Sequence, residues 1–455
     1  MSEHTRLLFA PGDLRAEGVD DASLVAAIGE VESAWVQAQA ATGLISAEVR
    51  AEAVTGIEAT VRELTGDTAA LTTLAEDAES GGNPVIPFVT AVRYRLAPAA
   101  ARIVHRGLTS QDVMDSALGI LIGRAFARID ADLEAITATL VTLSENHART
   151  LCLARTLTQP ALPTTFGLRA ATWAAEAEEI RRGTPQPATL QVGGAAGTRA
   201  AIREFAGKAT MTLLREFAIA VGGPDAALTP VPTPWHTDRI RVLTWAGHLA
   251  ACVALGSTIA RTVLIGTRPE VGELRLSATG ASSAMPQKAN PTSAVLLHRN
   301  GMRAPGALAT VTTAAAEAVE ERSDGAWHAE WAPLAELMVL ALSSLSLLED
   351  MVAGLSVEAE TMRRNLDAAS PGIYGERLTT AFGDRLTKTQ IQEIIVPGGD
   401  PSARLAAALA DTPGDTPPRA ELEGFFAPED YLGEAEDIRQ TIISTITDHP
   451  ADPAL

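Results

Sequence analysis

The sequence predicts an all-α fold of three domains around a central bundle of long helices, and three observations predict it. Hydrophobic residues make up 46% of the chain but aromatics only 4%. The interior therefore has to be built from Ala, Leu, Val and Ile, which suits closely packed helices better than sheets. Leu118, Ile122, Phe126, Ile129, Leu133, Ile136, Leu140 and Leu143 recur at steps of three and four, the seam of one amphipathic helix of about seven turns. Finally, 455 residues exceed one ordinary core, which predicts two or three domains.

Residues 1–107 read as a small helical domain. Short helical patterns at 24–42 and 51–75 are broken by Pro11-Gly12, Gly43 and the Gly81-Gly82-Asn83-Pro84 turn. Residues 108–356 read as the central bundle. After the seam come helical patterns at about 167–182, 198–221, 238–267, 291–318 and 328–356, separated by Pro- and Gly-rich stretches at 185–197 and 222–234. Most of these helices are on the order of 30–40 Å long, which suits a bundle of extended helices. Residues 357–455 have shorter seams and turns at 397–400 and 411–418, and read as a helical carboxy-terminal domain.

A formal charge of −20 argues against nucleic acid and anionic membrane as partners. An anionic substrate would need a local cluster of Arg, Lys and amide donors. Cys152 and Cys252 fall in helical patterns and suggest neither a disulfide framework nor a metal site, which fits a reducing cytoplasm. The first residues lack the basic and apolar regions of a signal peptide. Residues 242–260 are uncharged, and a helix buried in a bundle explains them better than a membrane span.

Residues 280–291 read Gly-Ala-Ser-Ser-Ala-Met-Pro-Gln-Lys-Ala-Asn-Pro and have no apolar period. Small residues let such a segment rearrange cheaply and close over a bound molecule, carrying Ser282, Ser283, Met285, Lys288 and Asn290 with it. The alternative is a polar surface loop. A second block, His105-Arg106-Gly107-Leu108-Thr109-Ser110-Gln111-Asp112, precedes the long seam. Thr109 and Ser110 sit at that helix's start, where hydroxyls and free N–H groups form a carboxylate cradle or simply cap the helix. Residues 154–167 carry Arg155, Thr156, Gln159 and Thr164, with Arg155 either a substrate contact or half of a buried ion pair. His236 opens another helix and is either structural or functional. Residues 321–331 offer Arg322 and His328 to a pocket, with Trp327 and Trp331 as packing.

The spacing Ser-Ser-x-Met-Pro-x-Lys-x-Asn-Pro and the Thr-Ser-x-Asp block resemble the fumarase/aspartase superfamily, and the resemblance runs from about residue 82 to Asn365. With 82–87, 190–197 and the Asp-Gly-Ala-Trp-His-Ala-Glu-Trp block, the chain is most similar to bacterial 3-carboxy-cis,cis-muconate cycloisomerases, which close a lactone in protocatechuate breakdown. The resemblance implies a cytoplasmic homotetramer with sites shared between subunits, acting on a small anionic tricarboxylate without metal or other cofactor. It makes Ser282 the proton carrier, with Lys288 and Asn290 on the carboxylate whose charge grows. His105, Thr109, Ser110, Gln111, Arg155, Thr156, Gln159, Thr164, His236, Ser283, Met285, Arg322 and His328 become substrate contacts.

Adenylosuccinate and argininosuccinate lyases carry an acid/base histidine where this chain has Leu157. A leucine cannot protonate a nitrogen leaving group, but a carboxylate of pKa about 4 needs no acid. Nitrosuccinate cleavage would pass the same test, and a lyase releasing fumarate is the alternative. Ala281 and Ala289 depart from the family's usual Gly and basic residue and bear on substrate choice. A non-catalytic scaffold is disfavoured by Ser282, Lys288 and Asn290 occurring together.

Overall fold

The computed structural model describes residues 8–185, 190–222, 233–280, 284–285 and 287–448. The amino-terminal helices are α1 (Asp21–Ala41), α2 (Ala47–Gly66), α3 (Thr68–Gly81), α4 (Val85–Tyr94) and the single turn α5 (Pro98–Ala101). The periodic run 51–75 is thus two helices. Asp67 breaks it by adopting an extended backbone, and its carboxylate accepts the Ala69 N–H at 2.8 Å, capping α3.

Next come α6 (Ser110–Asn146), the strands β1 (Leu151–Thr156) and β2 (Gln159–Thr165), α7 (Phe166–Arg182), α8 (Ala200–Ala206) and α9 (Thr210–Gly222). After them lie α10 (Ile240–Gly266), β3 (Leu274–Leu276), α11 (Thr292–Ala316), α12 (Ala326–Ala353) and β4 (Leu355–Val357). α13 (Ala359–Ala369) and five further helices between Gly375 and Thr447 complete the described chain. The fold is all-α; among the described residues the strands form only two antiparallel pairs, β1–β2 and β3–β4. The expected seam is buried along α6 from Leu118 to Leu140, with Leu143 half-buried.

The chain separates into two compact units, each built from three stretches. The first comprises residues 1–131, 183–254 and 299–346. Its core includes Trp35 of α1, edge-on to Phe217 of α9 at 5.2 Å. The second comprises residues 132–182, 255–298 and 347–455. There Ser144 donates to the Gly167 carbonyl at 2.8 Å, and the end of the chain has its own cluster around Leu378, Phe382, Leu405 and Leu409.

Cys152 lies on strand β1, a correction to its helical reading: the hairpin's prolines and irregular pairing hide its period. Cys252 is on α10, and both are buried thiols; burial pushes Cys252 up to about 12. α10 and α12 are long and apolar enough to cross a membrane, but 50% and 61% of their most apolar windows are buried inside the protein. Core helices share that property.

His248, on α10, is 8% exposed and packs edge-on against Phe126 at 5.1 Å. Burial pushes its pKa down to about 4. The unfolded chain then binds a proton between pH 6.5 and 4 that the folded chain refuses, so stability falls with pH across that window. The loss reaches about 3 kcal/mol. His248→Phe is expected to flatten the dependence of the thermal midpoint on pH in that range; an unchanged slope would remove His248 as its source.

Candidate active site

In the first unit the stretch Ile103 to Arg106, which leads into the candidate substrate-binding block, rests on the buried face of α1. Glu32, Trp35 and Gln39, at i, i+3 and i+7, share that face. Glu32 accepts the His105 backbone N–H at 2.9 Å and lies 2.6 Å from its Nδ1, Trp35 Nε1 donates to the Arg106 carbonyl at 2.9 Å, and Gln39 Nε2 donates to the Ile103 carbonyl at 3.1 Å. This grip holds His105 at φ 58°, a conformation costly for a side-chain-bearing residue. Gly107, at φ 78°, has no room for a Cβ, which would meet Ile202 and Phe205 below 3 Å.

Thr109 and Ser110 are half-buried at the start of α6, and neither hydroxyl has a side-chain bond to another described residue. Asp112, third in the helix, accepts the Thr109 N–H at 3.0 Å, as a helix N-terminus favours. The same buried carboxylate accepts the Gly193 and Gly194 N–H groups at 2.7 and 2.9 Å and meets His236 Nε2 at 2.9 Å. Three sequence-distant blocks are thereby tied to one side chain.

His236 is only 4% exposed, and its Nδ1 has no hydrogen-bond partner. A Cβ on Gly193 would stand 2.5 Å from its Cε1. Gln111 is fully buried and donates to the His236 carbonyl at 2.9 Å. Both residues brace the framework, and each keeps a buried polar atom, Gln111 Oε1 and His236 Nδ1, with no hydrogen-bond partner.

One turn further along α6, Asp115 accepts from Arg239, Trp327 Nε1 and Gln191 Nε2, and Arg239 also pairs with Glu330. Two buried carboxylates thus share one guanidinium. Burial pushes Glu330 up to about 7 despite Arg239. Although burial opposes it, Asp115 and Glu330 hold Arg239 above its ordinary value. Trp327 is packing, as expected, and also a donor. Arg322 Nη2 donates to the Ala195 carbonyl at 3.2 Å. His328 is exposed and leans on Trp331 at 4.8 Å.

In the second unit β1 and β2 form a hairpin whose turn is Leu157-Thr158. Leu157 stands 96% exposed at its tip, with Thr156 and Gln159 exposed beside it and Thr164 half-buried further down. Arg155 makes a two-pronged pair with buried Glu273, at 3.1 and 2.7 Å. Of its two readings, the ion pair is the one formed here.

The 280–291 loop is closed at its root, where Gly280 and Asn290 exchange backbone hydrogen bonds at 2.8 and 3.1 Å. A Cβ on Gly280 would lie 2.0 Å from Thr292 Oγ1, so the neck demands glycine. Lys288 is exposed, its N–H donating to the Met285 carbonyl at 3.0 Å, and Met285 is itself exposed. Only three of the 36 cationic residues are lysine, at 208, 288 and 388. Position 288 therefore carries a compact point charge in a chain that mostly uses Arg. Ser282 and Ser283 lie outside the described residues.

Sequence reasoning passed over Glu32, Asp112, Asp115 and Glu273 as functional positions. Asp112 and Asp115 did carry a signal: two acids three apart on the buried face of an apolar helix.

A family model described as "Lyase" matches residues 13–306. Nitrosuccinate lyase from Streptomyces davaonensis is 36% identical, over 92% of this chain and 89% of that protein. The 3-carboxy-cis,cis-muconate cycloisomerase of Bradyrhizobium diazoefficiens is 38% identical, over 83% and 82%. The crystal structure of the 3-carboxy-cis,cis-muconate lactonizing enzyme from Pseudomonas putida superposes with a TM-score of 0.82 at 29% identity, covering 96% of this chain and 98% of that one.

Proposed function

The chain belongs to the fumarase/aspartase superfamily of lyases, and on that footing we propose that it is a 3-carboxy-cis,cis-muconate cycloisomerase. It closes the substrate to 4-carboxymuconolactone. Leu157, an apolar side chain at the exposed hairpin tip where the nitrogen lyases of the family place a proton donor, sets the reading apart from those lyases. The 38% identity to the Bradyrhizobium cycloisomerase, with the superposition on the Pseudomonas putida enzyme, favours the muconate. One carboxylate of the substrate attacks within the molecule and forms the C–O bond. The displaced electron pair moves onto a neighbouring carboxylate, giving a dianionic enediolate, and Ser282 hands a proton to its α-carbon. Attack by a carboxylate needs no base, and its departure in reverse needs no acid.

Lys288 and Asn290 hold the growing charge on the carboxylate, where preorganised donors contribute most. A free serine is too weak an acid–base group alone, so the alkoxide left on Ser282 needs Lys288 or loop N–H groups to stabilise it until solvent returns the proton. Thr109 and Ser110 at the start of α6 supply donors for a second carboxylate. The active species is a cytoplasmic homotetramer whose sites each draw blocks from different subunits, with domains at 1–107, 108–356 and 357–455. Sedimentation at the mass of a monomer would reject that assembly.

Mixing the protein with 3-carboxy-cis,cis-muconate should bleach the diene absorbance without added metal or nucleotide; no loss would reject the substrate. A second reading is nitrosuccinate lyase, favoured by 36% identity over nearly the whole chain and equally compatible with Leu157. Nitrite release from nitrosuccinate, with the muconate inert, would install it instead. Under either reading, Lys288→Met is expected to slow turnover at least about a hundredfold, the usual cost of one oxyanion-type contact. Unchanged kinetics would dismiss the role.

A further inference from the structure

The end of the β1–β2 hairpin is poorly equipped to hold its own shape. Leu157 and Thr158 have φ of 48° and 71°. A two-residue turn with both central residues at positive φ favours Asn-Gly, and a β-branched threonine there is strained. Pro160, opposite Arg155, has no N–H to give the ladder, and the register slips between Leu153 and Arg155. Such a turn persists only where its surroundings over-determine it.

Further down, Leu153 packs against Leu366, Ile373 and Tyr374. At the tip Gln159 Nε2 donates to Thr158 Oγ1 at 3.2 Å. Next to the tip, Arg155 is tied to a buried carboxylate. Glu273 is 2% exposed. Its Oε2 accepts Arg155 Nη1 at 3.1 Å, and its Oε1 accepts both Arg155 Nη2 at 2.7 Å and Asn365 Nδ2 at 2.8 Å. Asn365 donates in addition to the Val271 carbonyl at 2.8 Å, and the Glu273 carbonyl receives the Glu358 N–H at 3.0 Å. Glu273 therefore joins the hairpin to α13 and to the strand pair that leads into the 280–291 loop.

We infer that Glu273 is a positioning residue: through Arg155 it fixes the hairpin tip, Thr156 to Gln159, and so sets where Leu157 and its polar neighbours stand. A two-pronged guanidinium–carboxylate pair resists both sliding and rotation, which one hydrogen bond or a lysine would not. The effect on turnover rests on the reading above that the hairpin tip meets substrate; the effect on the hairpin does not.

Hydrogen–deuterium exchange of the full-length protein separates the two. Glu273→Gln keeps the size of the side chain but removes its charge. It is expected to speed exchange at least about tenfold in peptides covering 151–165, with α7 and α9 unchanged. Arg155→Met is expected to give the same local pattern, and the double variant no more than either single one, because both changes break one contact. Unchanged exchange in the hairpin, or acceleration spread evenly over the chain, overturns the inference.

On whichever of the two substrates the parent turns over, kcat/KM of Glu273→Gln is expected to fall about tenfold or more, with Glu273→Asp recovering part of it. Full activity in Glu273→Gln overturns the link to catalysis. A parent inactive on both substrates rejects the functional reading and leaves the exchange result to decide the positioning role.

Discussion

Ser282→Ala is expected to yield a folded protein whose turnover is lower by about a thousandfold, within the range that a positioned acid–base group supplies. The size of the effect follows from the division of labour in the proposed reaction. The carboxylate oxygen that attacks or departs needs no proton, so the whole proton-transfer burden falls on the α-carbon. In that reaction Ser282 carries the proton, while Lys288 and Asn290 hold the growing charge of the carboxylate. Affinity for a substrate analogue should change little, because the hydroxyl matters as the proton moves and little before. A variant as active as the parent would return the non-catalytic scaffold to consideration.

Asp112→Ala should have the largest effect on the fold. The carboxylate receives the N–H groups of Thr109, Gly193 and Gly194 and pairs with His236. Truncation leaves buried donors without an acceptor, and each such orphan costs about 1–3 kcal/mol. The donors are neighbours, so the costs do not simply add. A loss of about 3 kcal/mol is the expected scale, that of a few coupled orphans of this kind. It should be read as an earlier thermal or denaturant transition of the first unit. Asp112→Asn, which keeps one acceptor oxygen, should lose much less. Equal midpoints for Asp112→Ala and the parent would mean that water replaces the carboxylate at no cost.

Periodicity carries across a long distance, and so the helices were legible. The seam from Leu118 to Leu140 is buried along α6, and the patterns at 167–182 and 238–267 match Phe166–Arg182 and Ile240–Gly266 closely. The pattern at 198–221 is interrupted at Gly207, where φ is 54°, a local event that apolar spacing does not register.

The hairpin was not legible. Its turn is Leu-Thr where the recognisable signal is Asn-Gly, and Pro160 and Pro163 argue against a strand. The site was legible in part. Ser282, Lys288, Thr109 and Arg155 stand in blocks with a recognisable spacing, and blocks can be read along the chain. Glu32 and Glu273 act on residues 73 and 118 positions away, and nothing local to either marks its partner. Gln111 and His236 carry suitable chemistry, but their burial in the framework is a product of the fold that no local spacing announces.

The grip of α1 on the turn around His105 has a bearing on how this scaffold diversifies. Glu32, Trp35 and Gln39 hold backbone groups as well as the His105 ring, and Asp112 does the same for Thr109 and the two glycines. Main-chain anchorage is indifferent to most of the side chains it carries. Residues presented outward from these turns are therefore free to be exchanged while the turns keep their places. New substrates could then be accommodated by swapping a few outward side chains while the main-chain frame stays in place.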